Sequence, residues 1–161
     1  MLFNEDNYKF MFAALKEAEY SLEEDEVPIG AVVVYENKII GKGHNQVENL
    51  CDPTAHAEIL AITAASNHLK NKVLSKCDIY VTIEPCIMCI GAITLAKIRN
   101  LYFSAYEPKT GACGSVYNIP DENKINHKVN IFSGIYENES KYLIQNYFNK
   151  KRSSSKNPSI N

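Results

Sequence analysis

Asp78-Ile79-Tyr80-Val81-Thr82-Ile83-Glu84-Pro85-Cys86-Ile87-Met88-Cys89 is the stretch from which the fold can be read. Its first six residues are dominated by β-branched and aromatic side chains, which predicts a short buried strand. Pro85 then opens a helix that runs to about Lys97, because a proline at a helix start gives up an N–H that would be unpaired anyway. Residues 100–105 are β-rich again. Strand, helix and strand in such short steps predict a parallel pair joined by a right-handed crossover.

Working outward, residues 29–35 and 38–43 form two β-rich runs with Glu36-Asn37 between them, an antiparallel hairpin. Before the hairpin, Tyr8, Met11, Phe12, Leu15 and Ala18 recur at helical spacing within residues 7–20. After it, Asp52-Pro53-Thr54 predicts a helix start, with Asp52 as cap and Pro53 in the first position, and the helix continues to about Asn67. Residues 107–114 are a Pro/Gly loop, and 120–128 are polar and weakly structured. A last strand is expected over 129–133 and a last helix over 138–150, presenting Leu143, Ile144, Tyr147 and Phe148. The sum is a mixed five-stranded sheet covered by helices on both faces, a three-layer α/β/α sandwich. Residues 1–152 make one domain, and 153–161, poor in apolar residues, are expected to be a disordered tail.

Composition narrows the function classes. A hydrophobic share of 45% and a charged share of 22% are ordinary for a globular chain. No apolar run reaches the roughly 20 residues of a membrane span, and the N-terminus has no basic start and apolar stretch, so a cytoplasmic protein is expected. Five cysteines, an odd count without framework spacing, fit a reducing compartment. Cys51, Cys77 and Cys113 are read as small buried hydrophobes. Net charge is −2, but residues 1–26 hold eight acids against Lys9 and Lys16, whereas 123–156 hold seven Lys/Arg against Glu137 and Glu139. Such asymmetry can mark a polyanion-facing end, but on charge alone a solvated helix face followed by a basic, disordered tail is the favoured reading.

The chemistry is carried by His56-Ala57-Glu58 together with Pro85-Cys86-Ile87-Met88-Cys89. Cys86 and Cys89, at i and i+3 on one helix, turn toward one ion, and the helix start favours their thiolates. His56 completes a set of three ligands, and Glu58 is an acid left over. Structural zinc sites use four protein ligands, whereas catalytic ones use three and keep a position for water. His56 and Glu58, two apart, share a site only at the end of their helix, so the two helix N-termini must converge. Glu58 is then placed as general base and general acid for an attack on an amidine-like ring carbon that releases ammonia. A lone Cys-x-x-Cys could also be a redox pair or half a structural zinc site. The first needs a thioredoxin-like setting and the second a fourth ligand at matching spacing. His44, His68 and His127 are scattered singly and read as surface or hydrogen-bonded histidines.

The two motifs, with Glu26-Val27-Pro28-Ile29-Gly30-Ala31-Val32, Gly43-His44-Asn45, Asp52-Pro53-Thr54-Ala55, Lys109-Thr110-Gly111-Ala112, Gly114-Ser115 and Asn126-His127-Lys128-Val129, resemble the bacterial tRNA-specific adenosine deaminases of the cytidine/deoxycytidylate deaminase superfamily. The resemblance extends from about Tyr8 to Arg152. It implies a cytidine deaminase-like fold, one Zn²⁺ per subunit on His56, Cys86 and Cys89, and Glu58 as the catalytic acid–base. It further implies a homodimer that converts wobble adenosine to inosine in a tRNA anticodon stem-loop, an arginine tRNA. Asn45 would bond the flipped base, the Ala57 backbone would meet the attacked ring, and Val27 would line the pocket. Lys109 would lie near RNA phosphate. Glu107 stands where the family commonly has Asp, so its carboxylate reaches one methylene further. A deaminase of a free base or nucleoside, such as guanine or a cytosine derivative, would use the same four residues. A non-catalytic RNA-binding subunit would have no use for Glu58.

Overall fold

The computed structural model describes residues 2–155. Five strands form one sheet in the order β2-β1-β3-β4-β5, where β1 is Gly30–Tyr35, β2 Lys38–His44, β3 Cys77–Ile83, β4 Asn100–Ala105 and β5 Asn130–Ser133. β1 pairs antiparallel with both β2 and β3, whereas β3–β4 and β4–β5 are parallel, so the sheet is mixed as expected.

Alternation along the strands assigns the two faces. Val32, Val34 and Tyr80 pack with Phe10, Met11 and Ala14 of α1 (Glu5–Glu23) on one side. Ala31, Val33, Ile79 and Val81 face the other side, against Ala57, Ala61 and Ala65 of α3 (Ala57–Leu69) and Ile90 and Ile93 of α4 (Ile87–Leu95). A short α2 (Val47–Leu50) precedes α3, and α5 (Glu137–Ser155) joins the α1 face, where the Ser140 hydroxyl donates to the Thr82 carbonyl. Three layers result. Gly43 lets α3 start close against the sheet: a Cβ there would sit 2.2 Å from the Ala57 carbonyl oxygen.

Several boundaries depart from the sequence reading, for local reasons. α1 begins earlier because Asn4 and Asn7 form a reciprocal capping box. Asp52-Pro53-Thr54 does not open α3. The Asp52 carboxylate instead accepts from the backbone N–H (2.8 Å) and hydroxyl (2.7 Å) of Thr54, closing an Asx turn, and the helix starts at Ala57 with His56 as N-cap. Pro85 likewise stands just before the N-cap, which is Cys86. Cys51 is exposed, not buried: it ends α2 in the left-handed region, at φ 49°. α5 continues to Ser155, so 153–155 are helical, the hydroxyls of Ser153, Ser154 and Ser155 donating to carbonyls four residues back. The rest of the expected tail lies outside the described residues.

Candidate active site

Each motif begins a helix, and the two starts meet. His56 is the N-cap of α3, with Ala57 and Glu58 in its first turn, while Cys86 is the N-cap of α4, with Cys89 in its first turn. Neither cap residue uses its side chain to cap the helix, so the imidazole and the thiol are free to point elsewhere. His56 Nδ1 lies 3.7 Å from Cys86 Sγ and 3.5 Å from Cys89 Sγ. Bond lengths typical of tetrahedral zinc put such N···S edges at about 3.6 Å, so the three donors are already at coordination spacing. Their atoms all lie within 4.8 Å of one another, and among the described residues no fourth His, Cys, Asp or Glu joins the group. The donor set therefore fits a zinc ion with one position open.

The electrostatics agree with that reading. The thiol pair gives up its first proton readily: Cys86 is lowered to about 4, chiefly because Cys89 donates to its thiolate. The same hydrogen bond, with burial, holds the Cys89 proton up. His56 is raised, first by its bond to Cys86. Zinc must displace the protons on Cys89 and His56, both held above their ordinary values, so retention is expected to weaken as pH falls. Dialysis against a chelator between roughly pH 8 and pH 5 should strip the metal increasingly toward the acid end. Retention that ignores pH would contradict this ligand set.

Glu58 is only 3% exposed, and that burial raises its carboxyl above the usual carboxylate range. It stands outside the ligand group. An acid outside the donor group, next to it and raised above its ordinary range by burial, is suited to carry a proton both ways.

A cleft of about 260 Å³ opens over these residues. Val27, Asn45, Ala57 and Glu107 line it with His56, Glu58 and Cys86, so four of the five expected substrate residues meet at one place. Asn45 is buried, and its amide Nδ2 donates to Glu26 Oε2 at 3.4 Å. Lys109 is exposed and is not in the lining; it lies two residues beyond Glu107, whose Oε1 accepts from the Lys109 backbone N–H at 2.9 Å. His44 is tied to Glu24 at 3.0 Å and His127 to the Ile98 carbonyl at 2.6 Å, while His68 is exposed. None is a ligand.

Residues 4–105 match the model of the cytidine and deoxycytidylate deaminase zinc-binding region. The chain belongs to that family. The deaminase is 52% identical over 120 residues to a tRNA-specific adenosine deaminase of Aquifex aeolicus, covering 74% of this chain and 80% of that one. It superposes with a TM-score of 0.82, at 43% identity, on a solved tRNA:A34 deaminase that edits A to I at the wobble position of transfer RNA, over 84% of this chain and 98% of that one. A guanine deaminase from Nitrosomonas europaea is more distant, with a TM-score of 0.73 and 25% identity over 87% and 83% of the two chains. Zinc is thus the cofactor of the deaminase, and the His56, Cys86, Cys89 group is where the chain can hold it.

Glu26, Glu84 and Tyr147 are among the cleft-lining residues that the sequence reading did not single out. Glu26 and Glu84 are buried carboxylates in the cleft lining, 1% and 2% exposed. Tyr147 reaches the cleft from α5, and its hydroxyl donates to the Asp25 carbonyl at 3.1 Å. Glu84 had a signal available, since an acid directly after a buried strand is out of place unless something satisfies it. Glu26 lies in the acid run 23–26 and looks like a solvated face.

Proposed function

We propose that the deaminase converts adenosine to inosine at the wobble position of a tRNA anticodon, that of an arginine tRNA, with release of ammonia. The observation that carries this is the convergence of three metal donors and one buried, unligated acid at the floor of a cleft. When bound there, Zn²⁺ supplies Lewis acidity at its open position and lowers the pKa of a water toward neutrality. Glu58, buried beside the donor group, would take a proton from the attacking water, pass it to the ring nitrogen next to the attacked carbon, and later give a proton to the departing amine. The Ala57 backbone borders the ring, Val27 packs on it, and Asn45 bonds its edge. An unpaired anticodon base is cheap to extrude into such a pocket.

The RNA reading draws support from the pocket rim. Tyr147 stands there with Lys150, Lys151 and Arg152 following it on α5, and Lys109 lies on the facing loop. Lys151 is already engaged, 2.5 Å from the Asp25 carboxylate and over the Tyr147 ring, so this basic end is partly neutralised. Incubating the purified protein with an anticodon stem-loop carrying wobble adenosine should yield inosine. Activity should fall with salt, since phosphate contacts to single strands cost a log–log slope of about −0.7 per contact. Salt-insensitive turnover of free adenosine or guanine, with no inosine in the stem-loop, would replace this reading by that of a free-base deaminase.

The deaminase acts as a homodimer in the cytoplasm. No helix among the described residues is long and apolar enough to cross a membrane. α4 contains no charged residue and leaves Ile87 and Leu95 50% and 81% exposed, an apolar face of the kind a second copy covers. Leu95→Glu is expected to shift the protein to a monomer in sedimentation. A dimer undisturbed by that charge would place the interface elsewhere.

A further inference from the structure

Glu84 directly follows β3, two residues before Cys86, and its carboxylate is turned into the loop that follows β4. Its Oε2 accepts from the Glu107 N–H at 2.9 Å, and its Oε1 from the N–H groups of Cys113 (2.8 Å) and Ser115 (3.0 Å). The Ser115 hydroxyl donates as well. No cation forms an ion pair with Glu84 among the described residues, so the loop itself supplies the compensation that a buried charge requires. The loop is also zipped onto the metal-binding turn: Gly111 bridges Cys86, and the Ala112 N–H donates to the Pro85 carbonyl at 2.9 Å. Gly111 must be a glycine here, since a Cβ would sit 2.3 Å from Glu84 Oε2.

We infer that Glu84 is a positioning residue: by gathering the backbone of residues 107–115, it sets where Glu107 and Lys109 stand beside the pocket. This rests on the reading of those two residues as substrate contacts. Glu107 takes its place directly from the bond on its own N–H. Lys109 follows through the bond of its N–H to the Glu107 carboxylate. Removing an acceptor from Glu84 leaves N–H groups in the loop without partners, and the loop must loosen to reach water.

The test uses the zinc-loaded protein. Glu84→Gln keeps the length of the side chain but turns a donor toward N–H groups that need an acceptor. Amide exchange at Glu107, Cys113 and Ser115 should speed up, with Val81 and Phe103 in the core strands unchanged and one zinc per chain retained. KM for the stem-loop should rise by about 10–100-fold, a typical cost of losing a supporting hydrogen bond at a site, and kcat should fall by less. Gly111→Ala presses on the same carboxylate from the loop side and should raise KM similarly, the double variant adding little. Unchanged loop exchange overturns the inference, as does a loss confined to kcat. Should Glu84→Gln fail to fold, Ser115→Ala removes one donor and leaves the carboxylate; it should raise loop exchange and KM more mildly, and no change in either refutes the role. A wild-type protein inactive on the stem-loop sinks the tRNA reading alone, because loop exchange still reports on Glu84 and KM is then read on the free base it accepts.

Discussion

Glu58→Ala leaves zinc and fold in place and removes deamination by about 10²–10⁴-fold, the usual contribution of a positioned acid–base group, or more if no other group relays the proton. Three features of the site lead to this. Glu58 lies outside the metal donor group, so its loss takes away no ligand. It is buried at the start of α3 and raised by that burial, so the fold carries an acid it would be cheaper to lack. The thermal midpoint of the variant should therefore hold or rise slightly. The sign follows from linkage: a carboxyl raised in the folded state favours folding below its unfolded pKa and gives up that contribution as pH rises, so at neutral pH it is a cost. Metal analysis, thermal melts and inosine yield on one preparation check all three parts. Near-wild-type turnover would sink the mechanism, and loss of zinc would show Glu58 to be a ligand.

Cys86→Ala should do the opposite, losing the metal first and the activity as a consequence. The Cys86 thiol makes no capping bond for α4, so its removal leaves the helix start intact and takes away only a donor. His56 and Cys89 alone cannot close a zinc site that ordinarily needs three protein ligands. Zinc content is expected to fall from one per chain to a small fraction, and the stabilisation by bound metal goes with it. That stabilisation is about 4 kcal/mol when free zinc stands at a thousand times Kd. The melting temperature of Cys86→Ala should match that of chelator-treated wild type. Undiminished zinc content would refute the ligand assignment.

The sandwich was legible because its signals are local. The β-branched and aromatic runs in 30–35 and 78–83 and the helical spacing in α1 are each set by preferences that act over a few residues. Errors fell where two local rules compete. Asp52 followed by proline satisfies a helix cap and an Asx turn equally well, and the choice went to the turn because Thr54 supplied both an N–H and a hydroxyl. Cys51 is exposed, against the expectation of burial, because a cysteine's burial depends on what packs over it and that is not written in the local sequence.

The sequence by itself determined the chemistry: two thiolates at i and i+3, an imidazole, and an acid two residues beyond it. These follow from ligand types and helix geometry, which act within one turn of chain. Tertiary structure alone decided that His56 Nδ1 faces both sulfurs, that α5 brings Tyr147 to the cleft, and that Glu84 faces the loop instead of the metal. Each of those contacts joins residues more than twenty positions apart, where only the packing of the layers decides which groups meet and which buried charge finds its donors.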